Sequence, residues 1–280
     1  MRIDLHTHSA ASDGTDAPAD VVAEAARAGL DVVALTDHDT TLGWDEAAVS
    51  AGHHGIALVR GVEISCRAGG TSVHLLGYLH DPADQELVAE LDRTRRSRVG
   101  RARAIVERLA LDYDLTWDDV QAQTVTGTTV GRPHIADALV AKGIVADRSA
   151  AFVSLLAVSS PYYVHHHAPD VVRAVELVRA AGGVPVLAHP GAIERGQVIS
   201  DQVIRRMVDA GLAGLEVHHR DHDAAQRERL AAVAAASGLL VTGSSDYHGA
   251  GKPNVLGENV TSVEAFEAIE SQGRLAVLRP

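Results

Sequence analysis

Short β-branched or leucine-rich runs alternate with alanine-rich segments along most of the 280 residues, and this alternation leaves few folds open. Strand-like runs lie at 1–5 (MRIDL), 31–36 (DVVALT), 57–62 (ALVRGV), 72–79 (SVHLLGYL), 184–188 (VPVLA), 213–217 (AGLEV) and 239–243 (LLVTG). Between the first two lies DAPADVVAEAARAGL, where Asp16 can cap a helix, Pro18 falls in its first turn and Gly29 ends it. Similar helical segments occupy 170–182, 200–211 and 222–237. Strand alternating with helix predicts a mainly parallel α/β sheet, and seven strands favour a closed or nearly closed barrel over a short open sheet. The alternation fails between about 84 and 168, where the pattern is helical and opens on the arginine-rich RTRRSRVGRARAIVER. Two parts are therefore expected: a barrel over 1–94 and 166–280, and a helical insertion over 95–165 that covers its rim.

The polar residues gather at one end of these strands. The first run is followed by His6, His8 and Asp13, and the second by TDHD, with Asp37, His38 and Asp39. The third runs out at Glu63, the fifth into AHPG with His189, the sixth into His218 and His219, and the seventh into GSSDYHG with Asp246 and His248. The fourth differs, carrying His74 within it. In a parallel barrel the C-terminal strand ends share one rim, so these side chains should converge on a multinuclear metal site. His6 and His8 are two apart, so on extended backbone they point to the same side and can share an ion. Glu63 has two oxygens with which to bridge two ions. Imidazole and carboxylate donors without thiolate suit Mn²⁺, Zn²⁺ or Fe²⁺.

Composition removes some alternatives. A net charge of −12 argues against a broad basic face for duplex DNA. Bound divalent cations would reverse that sign locally and admit a small phosphorylated substrate. The single cysteine, Cys66, rules out a disulfide framework or a cysteine zinc ribbon and is expected to pack as a small apolar residue. No apolar run approaches membrane-spanning length and MRIDLHTHS has no signal pattern, so a cytoplasmic protein without a membrane partner is expected.

HTHSAASDG, TDHD, GVEIS, AHPG and SDYHG, in this order, resemble the polymerase and histidinol phosphatase (PHP) superfamily of metal-dependent phosphoesterases. GRPHIA at 131–136, AFVSLL around 152 and GAGKPNVLGE at 249–258 resemble its stand-alone branch, which includes 3′,5′-bisphosphonucleotide phosphatases and 5′-to-3′ exoribonucleases acting on short RNA. The resemblance implies a distorted (β/α)7 barrel with a helical insertion, and three divalent ions with Mn²⁺ favoured. His6, His8, Glu63 and Asp246 would hold the first ion, and Glu63, His74 and His189 the second. Asp13, His38 and His248 would hold the third. His6, His8, Asp13, Glu63, His189 and Asp246 would carry catalysis, in which metal-activated hydroxide attacks phosphorus.

Substrate phosphate is expected at Arg132, whose planar donor fork suits it, with His134, Lys252 and His219 beside it. Asp37 is expected to orient the ring of His38. The seven arginines between 93 and 108 are expected on a solvated helix face, with a track for short single-stranded RNA as the functional alternative. Tyr162, Tyr163 and Tyr247 are candidate base-stackers, and His165 to His167 read as surface or loop residues. The rival readings are a histidinol-phosphate phosphatase and a non-catalytic metal-binding scaffold or polymerase module. An amidohydrolase would commonly need a carboxylated lysine at a strand end, where neither Lys142 nor Lys252 falls.

Overall fold

The strand-like runs pair in chain order. In the computed structural model, which describes residues 1–192 and 198–280, one sheet contains β1 (Ile3–Asp4), β2 (Val32–Leu35), β3 (Ala57–Ala68), β4 (Thr71–Tyr78), β5 (Val184–Ala188), β6 (Gly214–His218) and β7 (Leu240–Gly243). β1 and β7 form no ladder. A parallel bridge between Thr7 and Tyr247, with the His8 N–H donating to the Tyr247 carbonyl at 2.8 Å, brings the two edges together. The result is a nearly closed seven-stranded α/β barrel. β2 and β5 are buried at every position, as strands covered on both faces must be.

Helices α1 (Pro18–Arg27) and α2 (Trp44–His54) follow the first two strands. After α3 (Gln85–Leu109), α4 (Trp117–Gln121), α5 (Arg132–Ala141) and α6 (Arg148–Val153), the alternation resumes with α7 (Val171–Ala180). α8 (Asp201–Asp209), α9 (Ala224–Ser237) and α10 (Val263–Gln272) complete the outer layer. Pro18 opens α1 as expected, and Gly29 follows its end at φ 73°. Asp16 does not cap α1: Ala17 stands at that position, and the Asp16 carboxylate instead accepts from the Tyr247 hydroxyl at 2.7 Å.

Two features depart from a parallel barrel. β4 runs antiparallel to both β3 and β5. Only Gly69 and Gly70 separate it from β3, with Gly69 at φ 59°, and a turn this short can only reverse the chain. β4 therefore begins at the rim where its neighbours end, which is why His74 lies early in its strand. β3 also extends to Ala68, five residues past Glu63, so Glu63 stands within a strand rather than after one.

The insertion has its own apolar cluster, in which Ile105, Val106 and Leu109 of α3 pack with Ile135, Leu139 and Leu156. The first half of α3 belongs to the barrel, where Leu87 and Leu91 join the main core. Position 94 thus lies inside one continuous helix that is shared by the two parts. Among the described residues, no helix is long and apolar enough to cross a membrane.

Candidate metal centre

The rim collects imidazoles and carboxylates, all buried except the half-buried His74, into three overlapping groups: His6, His8, Glu63 and Asp246; His8, Asp13, His38 and His248; and His38, Glu63 and His74. In the first, the His6 and His8 Nε2 atoms are 3.0 Å apart and lie 3.3 and 3.0 Å from Glu63 Oε2. Asp246 Oδ1 is 3.5 Å from the one and 3.4 Å from the other. Five of the six separations among these four atoms are thus 3.0–3.5 Å, and a regular tetrahedron with edges of that length has its centre about 2 Å from each corner, the bond length of a divalent transition metal to nitrogen or carboxylate oxygen.

Glu63 is the hub. Its Oε1 meets His74 Nδ1 at 2.8 Å and His189 Nε2 at 3.0 Å, while Oε2 also lies 3.2 Å from His38 Nδ1. Burial pushes this carboxyl up, but the surrounding histidines, His38 first, hold it well below the usual carboxylate range. Around Asp13, His248 Nε2 approaches Oδ1 at 3.3 Å and His38 Nε2 approaches Oδ2 at 3.7 Å. The tautomer of His248 bears on what belongs there. Its Nδ1 donates to the Asp246 carbonyl at 2.8 Å, so in the neutral ring Nε2 offers only a lone pair. Burial, with Lys252 and His8 nearby, lowers His248 to about 4, so the ring is neutral at physiological pH. A nitrogen lone pair facing a carboxylate oxygen at this distance calls for a cation between them. The donor chemistry and spacing therefore fit divalent metal ions.

Local backbone and buried carboxylates aim these donors. Asp39, His189 and Asp246 take left-handed conformations with φ of 55°, 29° and 54°, a strained choice for non-glycine residues and one that concentrates at functional sites. Glu216, buried on β6, accepts from His6 Nδ1 at 3.1 Å and from the His189 N–H at 2.7 Å, leaving His6 Nε2 as the inward lone pair. Nothing in the local pattern LEVHH had singled Glu216 out. Asp37 does not orient His38. Its oxygens accept from the Ser9 N–H and the Ser9 and Ser12 hydroxyls at 2.6–2.8 Å, which fixes the loop between His8 and Asp13. From the insertion, Arg148 pairs with Asp137 and donates to the Asp13 carbonyl at 3.2 Å.

The expected substrate contacts separate into two places. Lys252 Nζ donates to Asp246 Oδ2 at 2.9 Å, and His219 Nε2 is 3.5 Å from the same oxygen. His219 Nδ1 accepts from the Asp221 N–H at 3.0 Å, so its neutral ring carries the proton on Nε2. Across the rim, Arg132 opens α5 and donates to the Leu156 carbonyl at 2.9 Å. His134 Nδ1 accepts from the Gly131 N–H at 3.1 Å, which likewise leaves its proton on Nε2. Tyr162 and Tyr247 are tied to Asp112 and Asp16, each at 2.7 Å. His165 to His167 do lie on irregular backbone, but both ring nitrogens of His166 are buried, against the surface reading.

Comparison with known proteins adds independent findings. The PHP domain matches residues 4–112. A 3′,5′-nucleoside bisphosphate phosphatase of Chromobacterium violaceum is 35% identical over 89% of this chain and 88% of its own length. A 5′-3′ exoribonuclease of Haemophilus influenzae is 34% identical over 88% of this chain and 90% of its own. A crystal structure from Bifidobacterium adolescentis, described as that of a metal-dependent phosphoesterase, superimposes with a TM-score of 0.95 at 44% identity, covering 97% of this chain and 96% of that one.

Proposed function

We propose, from the premise that this chain belongs to the PHP-domain family and is a metal-dependent phosphoesterase, that it hydrolyses phosphate monoesters of nucleotides, with 3′,5′-bisphosphonucleotides as the first substrate class. The 5′ ends of short single-stranded RNA are the second class, in keeping with the exoribonuclease relative. The observation that carries the reading is the sharing of Glu63 by His6, His8, His38, His74 and His189, which makes one carboxylate the centre of adjoining donor groups.

On this reading His6, His8, Glu63 and Asp246 hold one divalent ion, Glu63, His74 and His189 a second, and Asp13, His38 and His248 a third, with Mn²⁺ the first choice. Such ions supply Lewis-acid activation of water and charge neutralisation on the phosphoryl oxygens. The chain itself does the rest. Glu216 and the Asp246 carbonyl fix the tautomers of His6 and His248 so that their lone pairs face inward. Lys252 and His219 place an ammonium and an Nε2–H beside Asp246 Oδ2, where the ammonium can give a proton to a departing alkoxide and the Nε2–H can hydrogen-bond a phosphoryl oxygen. Arg132 and His134 bind substrate phosphate from the insertion. Nucleotide substrates and a single buried thiol suit a cytoplasmic setting.

The test is a phosphate-release screen with added Mn²⁺ over 3′,5′-bisphosphoadenosine, AMP, histidinol phosphate and 5′-phosphorylated oligoribonucleotides. Bisphosphoadenosine should turn over fastest, and His8→Ala, Glu63→Ala and Asp246→Ala should each abolish release. A preference for histidinol phosphate would overturn the substrate assignment. Full activity in all three variants would overturn the site.

A further inference from the structure

Four arginines and a histidine meet where the insertion overhangs the rim, outside the donor groups. Arg98 and Arg101 come from α3, Arg132 from the start of α5 and Arg67 from β3, while His166 lies on the segment leading back to the barrel. Each guanidinium is tethered in part. Arg98 Nη1 donates to Ser65 Oγ at 2.7 Å and Asp39 Oδ2 at 3.1 Å. Arg101 Nε donates to the Val164 carbonyl at 2.7 Å, Arg132 Nη1 to that of Leu156 at 2.9 Å, and Arg67 Nη2 to that of His166 at 3.4 Å. Arg101 and Arg132 share the Tyr163 ring, at 5.0 and 5.7 Å from its centroid.

Several nitrogens of the cluster are left over. Arg98 Nε, Arg101 Nη2 and both ring nitrogens of His166 are buried without a hydrogen-bond partner among the described residues. Arg98 has Asp39, but among the described residues no carboxylate pairs with Arg67, Arg101 or Arg132. Burial and the charges of Arg132, Arg98 and Arg67 bring Arg101 down to about 9, and burial with the four guanidiniums lowers His166 to about 2. A cluster of half-buried, mutually repelling cations is costly without a counter-charge, and in a chain of net charge −12 it is not a general surface property. The cluster also adjoins the metal donors: the Asp39 N–H donates to the Glu63 carbonyl at 2.9 Å, and Ser65 is the cross-strand partner of His74.

We infer that Arg67, Arg98, Arg101 and Arg132, with His166, form a second phosphate subsite, which holds the phosphoryl group that is not cleaved. The inference rests on the function proposed above. Planar guanidinium forks match a phosphate's oxygens bidentately, and a neutral His166 contributes one further donor. A nucleoside bisphosphate or a 5′-phosphorylated RNA end each brings two phosphates, so this subsite selects doubly phosphorylated substrates over monophosphates.

Two measurements test it. Chelator-treated, metal-free protein is titrated calorimetrically with inorganic phosphate; Arg101→Gln and Arg132→Gln should each weaken binding at least tenfold. With Mn²⁺ present, kcat/KM is compared for 3′,5′-bisphosphoadenosine against 3′-AMP, and for cleavage of 5′-phosphorylated diadenylate against diadenylate without the 5′-phosphate. The pair with the larger wild-type ratio identifies the source of the second phosphate, and both variants should reduce that ratio at least tenfold, through KM. Because Arg101 also supports Val164, Arg132→Lys serves where Arg101→Gln fails to fold; it keeps the charge, loses the fork and should still reduce the ratio. Unchanged phosphate binding, or an unchanged ratio, overturns the subsite. Absence of hydrolysis in the wild type would instead overturn the proposed function, while phosphate binding by the metal-free protein would still decide the subsite.

Discussion

Glu216 shows how a residue that faces no substrate can set the chemistry of one that does. Buried on β6, it accepts from His6 Nδ1, from the His189 N–H and from the Ser244 hydroxyl, and so positions two neighbouring rim histidines at once. The histidines in turn, His6 first, hold its carboxyl well below the usual range against the push of burial. Glu216→Gln keeps the shape and removes the charge that fixes the His6 tautomer. We expect metal affinity to fall roughly 10- to 100-fold, the usual cost of losing such a partner. Competition with a chromogenic chelator measures this, and equal affinity in variant and wild type would contradict the role. Glu216 was not legible in the sequence because its partner lies 210 residues away and its flanks, Leu215 and Val217, read as an ordinary buried strand. Asp37 misled in the opposite way: adjacency to His38 suggested a contact, but the backbone turns its carboxylate onto Ser9 and Ser12.

At the scale of elements, the reversal of β4 decides where the chain passes between barrel and insertion. Two residues beyond its end, His80 is buried against Trp44 of α2, with ring centroids 5.1 Å apart, and its Nδ1 donates to the Gly77 carbonyl at 3.2 Å. Burial lowers this imidazole from 6.5 to about 4, outweighing the hydrogen bond to Gly77. The unfolded chain therefore takes up the proton first on acidification. The stability that His80 contributes is complete above pH 6.5, shrinks as pH falls, and is lost by about pH 4. At about 1.4 kcal/mol per pKa unit, this is on the order of 3 kcal/mol. His80→Gln should flatten the acid side of the stability profile by that amount. Urea unfolding at pH 7 and pH 4.5 checks it, and parallel profiles for variant and wild type would count against it. The same reversal explains His74: the run SVHLLGYL was legible as a strand, whereas its direction depended on the Gly69–Gly70 turn.

For the whole molecule, the donor groups join elements far apart in sequence, so an ion bound there should stabilise the barrel as well as serve the reaction. A ligand at 100 times its Kd that binds only the folded chain contributes about 2.7 kcal/mol. For a chain of 280 residues that corresponds to a loss of about 5 °C in Tm when metal is stripped with a chelator. Calorimetry before and after Mn²⁺ is restored measures it; an unchanged midpoint would count against ions spanning the rim. The sequence by itself determined the class of fold and the kind of donor. Periods of strand and helix are local properties of the chain, and a parallel order places each strand end on one rim, so HTHS, TDHD, AHPG and SDYHG could be assigned to a common site without coordinates. Only the tertiary structure decided how these residues meet: that β4 runs backwards, that His8 and His38 each belong to two donor groups, and that the ring nitrogens of His166 are buried beside four arginines. The physical reason is that such distances are fixed by strand register, barrel closure and the placement of the insertion, which bring together side chains up to 240 residues apart, as His6 and Asp246 are.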